Sequence, residues 1–247
     1  MDVDALKSII QSVNATNTNS ITLEFIEKRR NGLTAYVIEL EPQIRNQIRE
    51  MYIQVLDSPV LRYQQVDYNP LGNIDNIIET TNTNTANISL IIDNIISQEN
   101  RVHDLSEMEL DKIGYYHVKI TNHDDTIHIF RKFNKLKKLR KGIQGYISGN
   151  GFNRLENEIV GLDNEIDIIT HNTEALVINR YALQTIFDLK DYFTTRTQDA
   201  MNIISTKEKI NNFQQFKDDC LSDGFAIKKV TKIVNTPNLI ENFFHNF

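Results

Sequence analysis

The stretch that decides the fold is GYYHVKITNHDDTIHIFRKF, residues 114–133. Segments 114–120 and 126–133 are rich in β-branched and aromatic residues, and the polar tip NHDD, residues 122–125, separates them. Turn residues between two such segments predict a β-hairpin. A parallel crossover needs about a dozen residues or more, so this short link predicts an antiparallel pair.

Short strands with short links continue on both sides of this hairpin. Upstream, Asn31-Gly32 is a hairpin signal between two apolar segments. Downstream, the turn at residues 148–151 and the connection His171-Asn172-Thr173 separate further short apolar segments. The remaining predicted strands are residues 21–25, 35–40, 143–148, 152–159, 165–170 and 175–179.

Helical periodicity dominates the two ends of the chain. Residues 2–13 predict a helix, and Pro42 suits the first turn of a second helix. Residues 59–72 are expected to form a loop and residues 80–85, TTNTNT, an exposed low-complexity segment. The other predicted helical features are the apolar stripe Ile44, Ile48, Met51 and Val55, a helix over 88–96, a long helix over 183–204, and a last helix carrying Ile210, Phe213 and Phe216 that ends near Gly224.

These elements predict an α+β protein in which an antiparallel sheet packs against helices and the C-terminal part is mainly helical. We expect an α+β domain over residues 1–180 and a helical region over 181–247; whether the latter is truncated stays open. The chain has 247 residues and 40% hydrophobic content, enough for a sizeable core. Cys220 is the single cysteine, so an internal disulfide is excluded. No apolar run reaches the ~18 residues of a membrane span, and the start is acidic, so we expect a cytoplasmic protein.

One segment concentrates positive charge on an otherwise acidic chain. Residues 131–141, RKFNKLKKLRK, hold seven basic residues and no acidic one, and removing them from the net charge of −6 leaves −13 on the rest. Basic residues at this density are typical of contacts with nucleic-acid phosphates. The predicted contacts are Arg131, Lys132, Lys135, Lys137, Lys138, Arg140 and Lys141, with a weaker cluster at Lys228, Lys229 and Lys232.

Two other roles remain open for this segment. It could be a solvated loop that balances the acidic body, or it could dock on an acidic protein or membrane surface. No zinc-finger spacing, helix-turn-helix signature or RNA-recognition motif is visible, so binding is expected to ignore base sequence. The preference for DNA or RNA stays open.

A metal-dependent nuclease is the alternative from a different class. Asp163, Glu165 and Asp167 alternate, so one strand face could present three carboxylates to a divalent cation. The acid-x-Lys pair that a restriction-like core needs is missing from the next predicted strand. His117 and His128 could face each other across the hairpin, but without a carboxylate they make a poor metal site. We therefore predict no catalytic residue, no metal site and no cofactor.

The stretch from residue 126 to 186 resembles the KwaB-like family of the Kiwa anti-phage system. The resemblance lies in TIHIFRKFNKLKKLRKGIQGYISGNGFNRLE, residues 126–156, and IVGLDNEIDIITHNTEALVINRYALQTIF, residues 159–187. It implies a protein that binds DNA and blocks phage replication beside a membrane partner called KwaA. A homo-oligomer is also expected. Family members carry a longer C-terminal helical region, so any role of that region is not carried over.

Overall fold

The predicted hairpin lies at the centre of the protein. The computed structural model describes residues 1–29, 32–68, 77–84, 88–123, 125–133, 145–148, 151–154, 161–206 and 210–235. Strands β6 (Ile113–Asn122) and β7 (Asp125–Lys132) pair antiparallel from Tyr115↔Lys132 to Asn122↔Asp125. The predicted hairpin is therefore confirmed.

A nine-stranded sheet grows outward from this hairpin in the order β3-β4-β11-β10-β7-β6-β1-β2-β5. Its pairs are antiparallel except at the two edges, where β3 and β4 are parallel and so are β2 and β5. The α+β prediction is confirmed. The other strands are β1 (Ile21–Arg29), β2 (Gly32–Ile38), β3 (Gln64–Asp67), β4 (Ile77–Asn82), β5 (Arg101–Val102), β10 (Ile168–His171) and β11 (Glu174–Val177).

Helices cover both faces of the sheet. Successive strand residues point to opposite faces, so Ile129 and Phe130 lie in two different cores. Helices α1 (Val3–Ser12) and α2 (Pro42–Leu56) pack on the Ile129 face, while α3 (Ile88–Ile96) and α4 (Arg180–Ile186) pack on the Phe130 face. We call these the α1/α2 face and the α4 face.

The apolar stripe predicted for α2 is only partly correct. Ile48 is buried, but Ile44 is 40% exposed, and Arg45 is buried instead. The Arg45 guanidinium donates to the backbone carbonyls of Ala15, Leu40 and Thr16, which satisfies its donors inside the protein. The helix is thereby rotated so that Tyr52 and Leu56 complete the buried face. Pro42 does occupy the first turn, as predicted.

Two segments predicted as irregular belong to the sheet. The TTNTNT stretch enters β4, which pairs with β11 on one side and β3 on the other, and Thr83 is 3% exposed. Strand β3 lies within the predicted loop 59–72. Strands were also predicted at 143–148 and 152–159; within the described residues, β8 (Gly145–Ser148) and β9 (Gly151–Arg154) pair antiparallel in a separate two-stranded sheet.

The C-terminal part is helical, with one break that periodicity did not reveal. The predicted long helix is two helices, α4 and α5 (Lys190–Ser205), and between them Asp188 has a positive φ of 46°. Helix α6 (Phe213–Ser222) ends near Gly224, as predicted, and α7 (Gly224–Asn235) begins there. The Thr197 hydroxyl of α5 donates to the Ile227 carbonyl of α7 at 2.9 Å.

Candidate functional site

The described part of the predicted basic segment is its beginning, at the end of β7. Arg131 and Lys132 are consecutive strand residues, so their side chains leave the sheet on opposite faces. Arg131 lies on the α1/α2 face and Lys132 on the α4 face. The predicted contacts Lys135, Lys137, Lys138, Arg140 and Lys141 lie outside the described residues.

Arg131 is held inside the protein by three carboxylates. It is 7% exposed, and its Nε donates to Asp163 Oδ1 at 3.0 Å while its Nη1 donates to Asp167 Oδ1 at 2.9 Å. Its Nη2 donates to Asp163 Oδ2 at 2.8 Å and to Glu165. Its guanidinium is therefore committed to internal ion pairs, which removes Arg131 from the predicted phosphate contacts.

The acid–base properties of this cluster follow from the same contacts. Burial alone would lower the pKa of Arg131, but hydrogen bonds and charges from Asp163 and Asp167 outweigh it and raise that pKa. Burial alone would raise the pKa of Asp163, but the Arg131 guanidinium holds it below its usual range. Arg131 and Asp163 thus stabilise each other in their charged forms.

Asp167 is the most buried member of the cluster, at 1% exposure. Its carboxylate also accepts from the backbone N–H of Lys132 at 2.6 Å and from Asn179 Nδ2 at 2.8 Å. These bonds tie β7 to the segments flanking β10 and α4. Strand β10 begins only at Ile168, so the predicted strand alternation does not explain the convergence of the three carboxylates.

A cleft of about 640 Å³ opens beside the Arg131 cluster. Apolar side chains of α2 and of the turn Pro59–Arg62 form one wall, and Arg131, Glu165 and Asp167 form part of another. Among the described residues, no group of three or more histidine, cysteine or acidic side chains is arranged to hold a metal ion.

Lys132 meets helix α4 on the other face. Its Nζ lies 4.9 Å from the centroid of the Tyr181 ring, the geometry of a cation–π contact. Tyr181 is 65% exposed, although it is an aromatic residue. The helix itself is firmly seated, because the Asn179 side chain caps it at Ala182 N and Leu183 is fully buried.

Two further lysines contact the same helix. Lys28 of β1 donates to the Thr185 carbonyl, and Lys228 of α7 donates to Gln184 Oε1 at 2.7 Å. Burial lowers the pKa of Lys28, and the negative charge of Asp188 partly offsets this. We call the set Lys28, Lys132, Tyr181, Gln184 and Lys228 the α4 surface.

The second predicted basic cluster meets this surface through one member. Lys228 belongs to it, and Lys229 is exposed on the same helix. Lys232 also lies in α7, but its side chain is outside the described part of the chain. Arg180, at the start of α4, pairs with Glu79 at 2.6 Å.

The two hairpin histidines do face each other, as predicted. His117 Nε2 and His128 Nδ1 are 3.0 Å apart, and the rings are stacked. Sequence reasoning missed the carboxylate: Glu24 Oε2 lies 3.0 Å from His117 Nδ1, and Arg101 donates to Glu24 Oε1 at 3.0 Å. The pair is therefore part of a polar network whose residues come from four strands, β7, β6, β1 and β5.

Two members of this network, Glu24 and His128, have shifted pKa values. Burial opposes ionisation of Glu24, but hydrogen bonding and charge from His117, and the charge of Arg101, lower its pKa. Burial, with the neighbouring charges of His117 and Lys119, lowers the pKa of His128 to about 3. His128 is consequently neutral near pH 7.

Comparison with known proteins identifies one matching protein family. The family model described as Kiwa protein KwaB-like matches residues 110–246 of the chain. No curated protein and no solved structure shows significant similarity to this chain. Across the described residues, every helix is too short or too polar to cross a membrane.

Proposed function

The chain belongs to the KwaB-like family of the Kiwa anti-phage defence system, and from this premise we propose that it binds DNA without reading base sequence and blocks phage replication by occupying that DNA. The observation that carries the proposal is the position of Lys132. Lys132 is the second residue of the basic segment and lies against α4, where Lys28 and Lys228 also converge.

Electrostatics supports binding at this surface. Each phosphate that a lysine neutralises releases condensed counterions, so several lysines on one surface favour a polyanion. The rest of the molecule is acidic and would repel DNA, which confines the contact to the basic surface. The lysines of the α4 surface contact groups of α4: Lys28 and Lys228 each donate to an oxygen atom, and Lys132 lies over the Tyr181 ring. An ammonium group has three donors, so each lysine keeps donors for phosphate oxygens.

We propose that the chain acts by binding and not by cleavage. The nuclease alternative needs Asp163, Glu165 and Asp167 as metal ligands. Their charge is already shared with the Arg131 guanidinium, and Asp167 accepts two further hydrogen bonds. A divalent cation would have to displace a buried arginine, so a structural role of the cluster accounts better for its geometry.

The proposal also includes partners and a location. Membership of a defence system implies partners within that system. We propose a cytoplasmic homo-oligomer that works beside a membrane protein of the KwaA type. A third reading, in which the basic segment docks on an acidic protein, predicts no DNA retardation.

A gel-shift experiment with plasmid DNA, with and without magnesium, separates these readings. We expect retardation at low salt without cleavage in either condition. Magnesium-dependent cleavage would support the nuclease, and absence of retardation would support the protein-docking reading. Replacing Lys135, Lys137, Lys138 and Arg140 together by Glu should abolish retardation, whereas Lys7→Glu on α1, which packs on the α1/α2 face of the sheet, should not.

A further inference from the structure

Tyr181 stands out on the α4 surface because it is aromatic and open to solvent. Among the described residues, it is the most exposed large apolar side chain, at 65%. Burying an aromatic ring stabilises the folded protein, and an exposed ring does not contribute this stabilisation. Lys132 lies over the ring, and the 65% exposure of Tyr181 leaves much of its aromatic surface accessible.

The helix that carries Tyr181 is a rigid support. Asn179 caps its first turn, and Ala182, Leu183 and Ile186 are buried at 1% exposure or less. Because this backbone is already ordered, only the side chain of Tyr181 has to be ordered further when a ligand stacks on its ring.

A cleft continues the surface along α4. Gln184, one helical turn beyond Tyr181, lines a cleft of about 350 Å³ together with Lys228. The walls of this cleft are mainly apolar and include Leu189, Phe193 and Ile227. Cations, an exposed ring and an apolar cleft thus lie side by side.

This combination distinguishes between forms of nucleic acid. In a duplex, bases stack on one another, and a protein meets mainly phosphates and groove edges. An unpaired base offers its whole π-face to an aromatic side chain, and lysines beside that side chain follow the backbone. An exposed aromatic ring would add nothing to a surface that binds phosphates alone.

We infer that the α4 surface binds single-stranded nucleic acid, with an unpaired base stacked on Tyr181 and the adjoining phosphates on Lys132, Lys28 and Lys228. The inference rests on the proposed function and narrows it to strand-separated substrate, such as the exposed strand at a replication fork. The cleft beside Gln184 receives the neighbouring base.

Binding of a fluorescent single-stranded oligothymidine and of a duplex of equal length tests the inference. The wild-type chain should prefer the single strand. Tyr181→Ala should weaken single-strand binding by about tenfold, the size of one base–aromatic stack. The same variant should leave duplex binding within about twofold, a change well below that of a lost stack. Tyr181→Phe keeps the ring and should retain single-strand binding.

The outcomes separate this inference from the proposed function. Duplex preference, or equal losses on both ligands in Tyr181→Ala, overturns the single-strand inference alone. No binding of either ligand at low salt overturns both. Because Tyr181 is exposed, its replacement should leave the thermal unfolding midpoint unchanged. The stacking role would be overturned if the midpoint fell and Tyr181→Phe also failed to bind the single strand.

Discussion

Arg131 and Lys132 are neighbours in β7, yet one is enclosed by Asp163, Glu165 and Asp167 while the other lies 4.9 Å from the exposed Tyr181 ring. Successive side chains of a strand point to opposite faces of the sheet, so the two residues have different roles. Arg131 joins the core of the α1/α2 face, and Lys132 joins the cationic surface on the α4 face.

Lys132→Met should weaken DNA binding to the same extent on AT-rich and GC-rich duplexes. A lysine that contacts phosphate carries no sequence information, so its loss is felt uniformly. Fluorescence anisotropy at constant salt measures both affinities. A loss confined to one composition would mean that Lys132 reads base edges.

Arg131→Met should destabilise the fold by roughly 3–5 kcal/mol, because it leaves the buried Asp167 carboxylate without its cation. Chemical denaturation measures the free energy of unfolding. Arg62→Ala is the matched control, because Arg62 pairs with Asp4 at the surface and its loss should change that free energy little. An Arg131 variant as stable as the Arg62 variant would refute the structural role of the cluster.

Stability should fall as the pH drops below about 6.5, the ordinary pKa of histidine. The pKa of His128 is about 3 in the folded protein, so between these two values the unfolded chain binds a proton that the folded chain does not. The stabilisation is present above the unfolded pKa and is lost on acidification, by up to about 1.4 kcal/mol per pH unit. Glu24, whose folded pKa is lowered, adds a loss at still lower pH.

His128→Gln should flatten this dependence between pH 6.5 and 4.5, the window set by ordinary histidine and glutamate pKa values of about 6.5 and about 4.3. The measurement is the free energy of unfolding at several pH values. His123→Gln, at the hairpin tip, is the control and should keep the wild-type profile. An unchanged slope in His128→Gln would show that another group titrates.

Local chemistry accounts for what the sequence predicted well. The β6–β7 hairpin follows from two apolar segments around a four-residue polar tip, and both are adjacent in the chain. Strand β4 was missed because its threonines and asparagines are typical of exposed segments. The strand exists because β11 and β3 supply hydrogen-bond partners from distant parts of the chain.

The candidate site was less predictable, because its parts come from distant elements. Lys28, Lys132 and Lys228 meet only after β1, β7 and α7 have packed around α4. Counting charge in the basic segment could not separate Arg131 from Lys132. Strand alternation places them on opposite faces, but Ile129 and Phe130 are both buried, so alternation alone could not show which of the two cations is enclosed.

The salt dependence of duplex binding tests the central claim most directly. Plotted as the logarithm of the binding constant against that of the salt concentration, the wild-type slope should be steep and negative. It should become shallower by about 2 in a Lys28→Ala, Lys132→Ala double variant, because each lost phosphate contact removes about 0.9. The Lys7→Ala, Lys112→Ala pair, which removes equal charge elsewhere, should keep the wild-type slope. A flat wild-type profile, or equal slopes in the two double variants, would contradict DNA binding at the α4 surface.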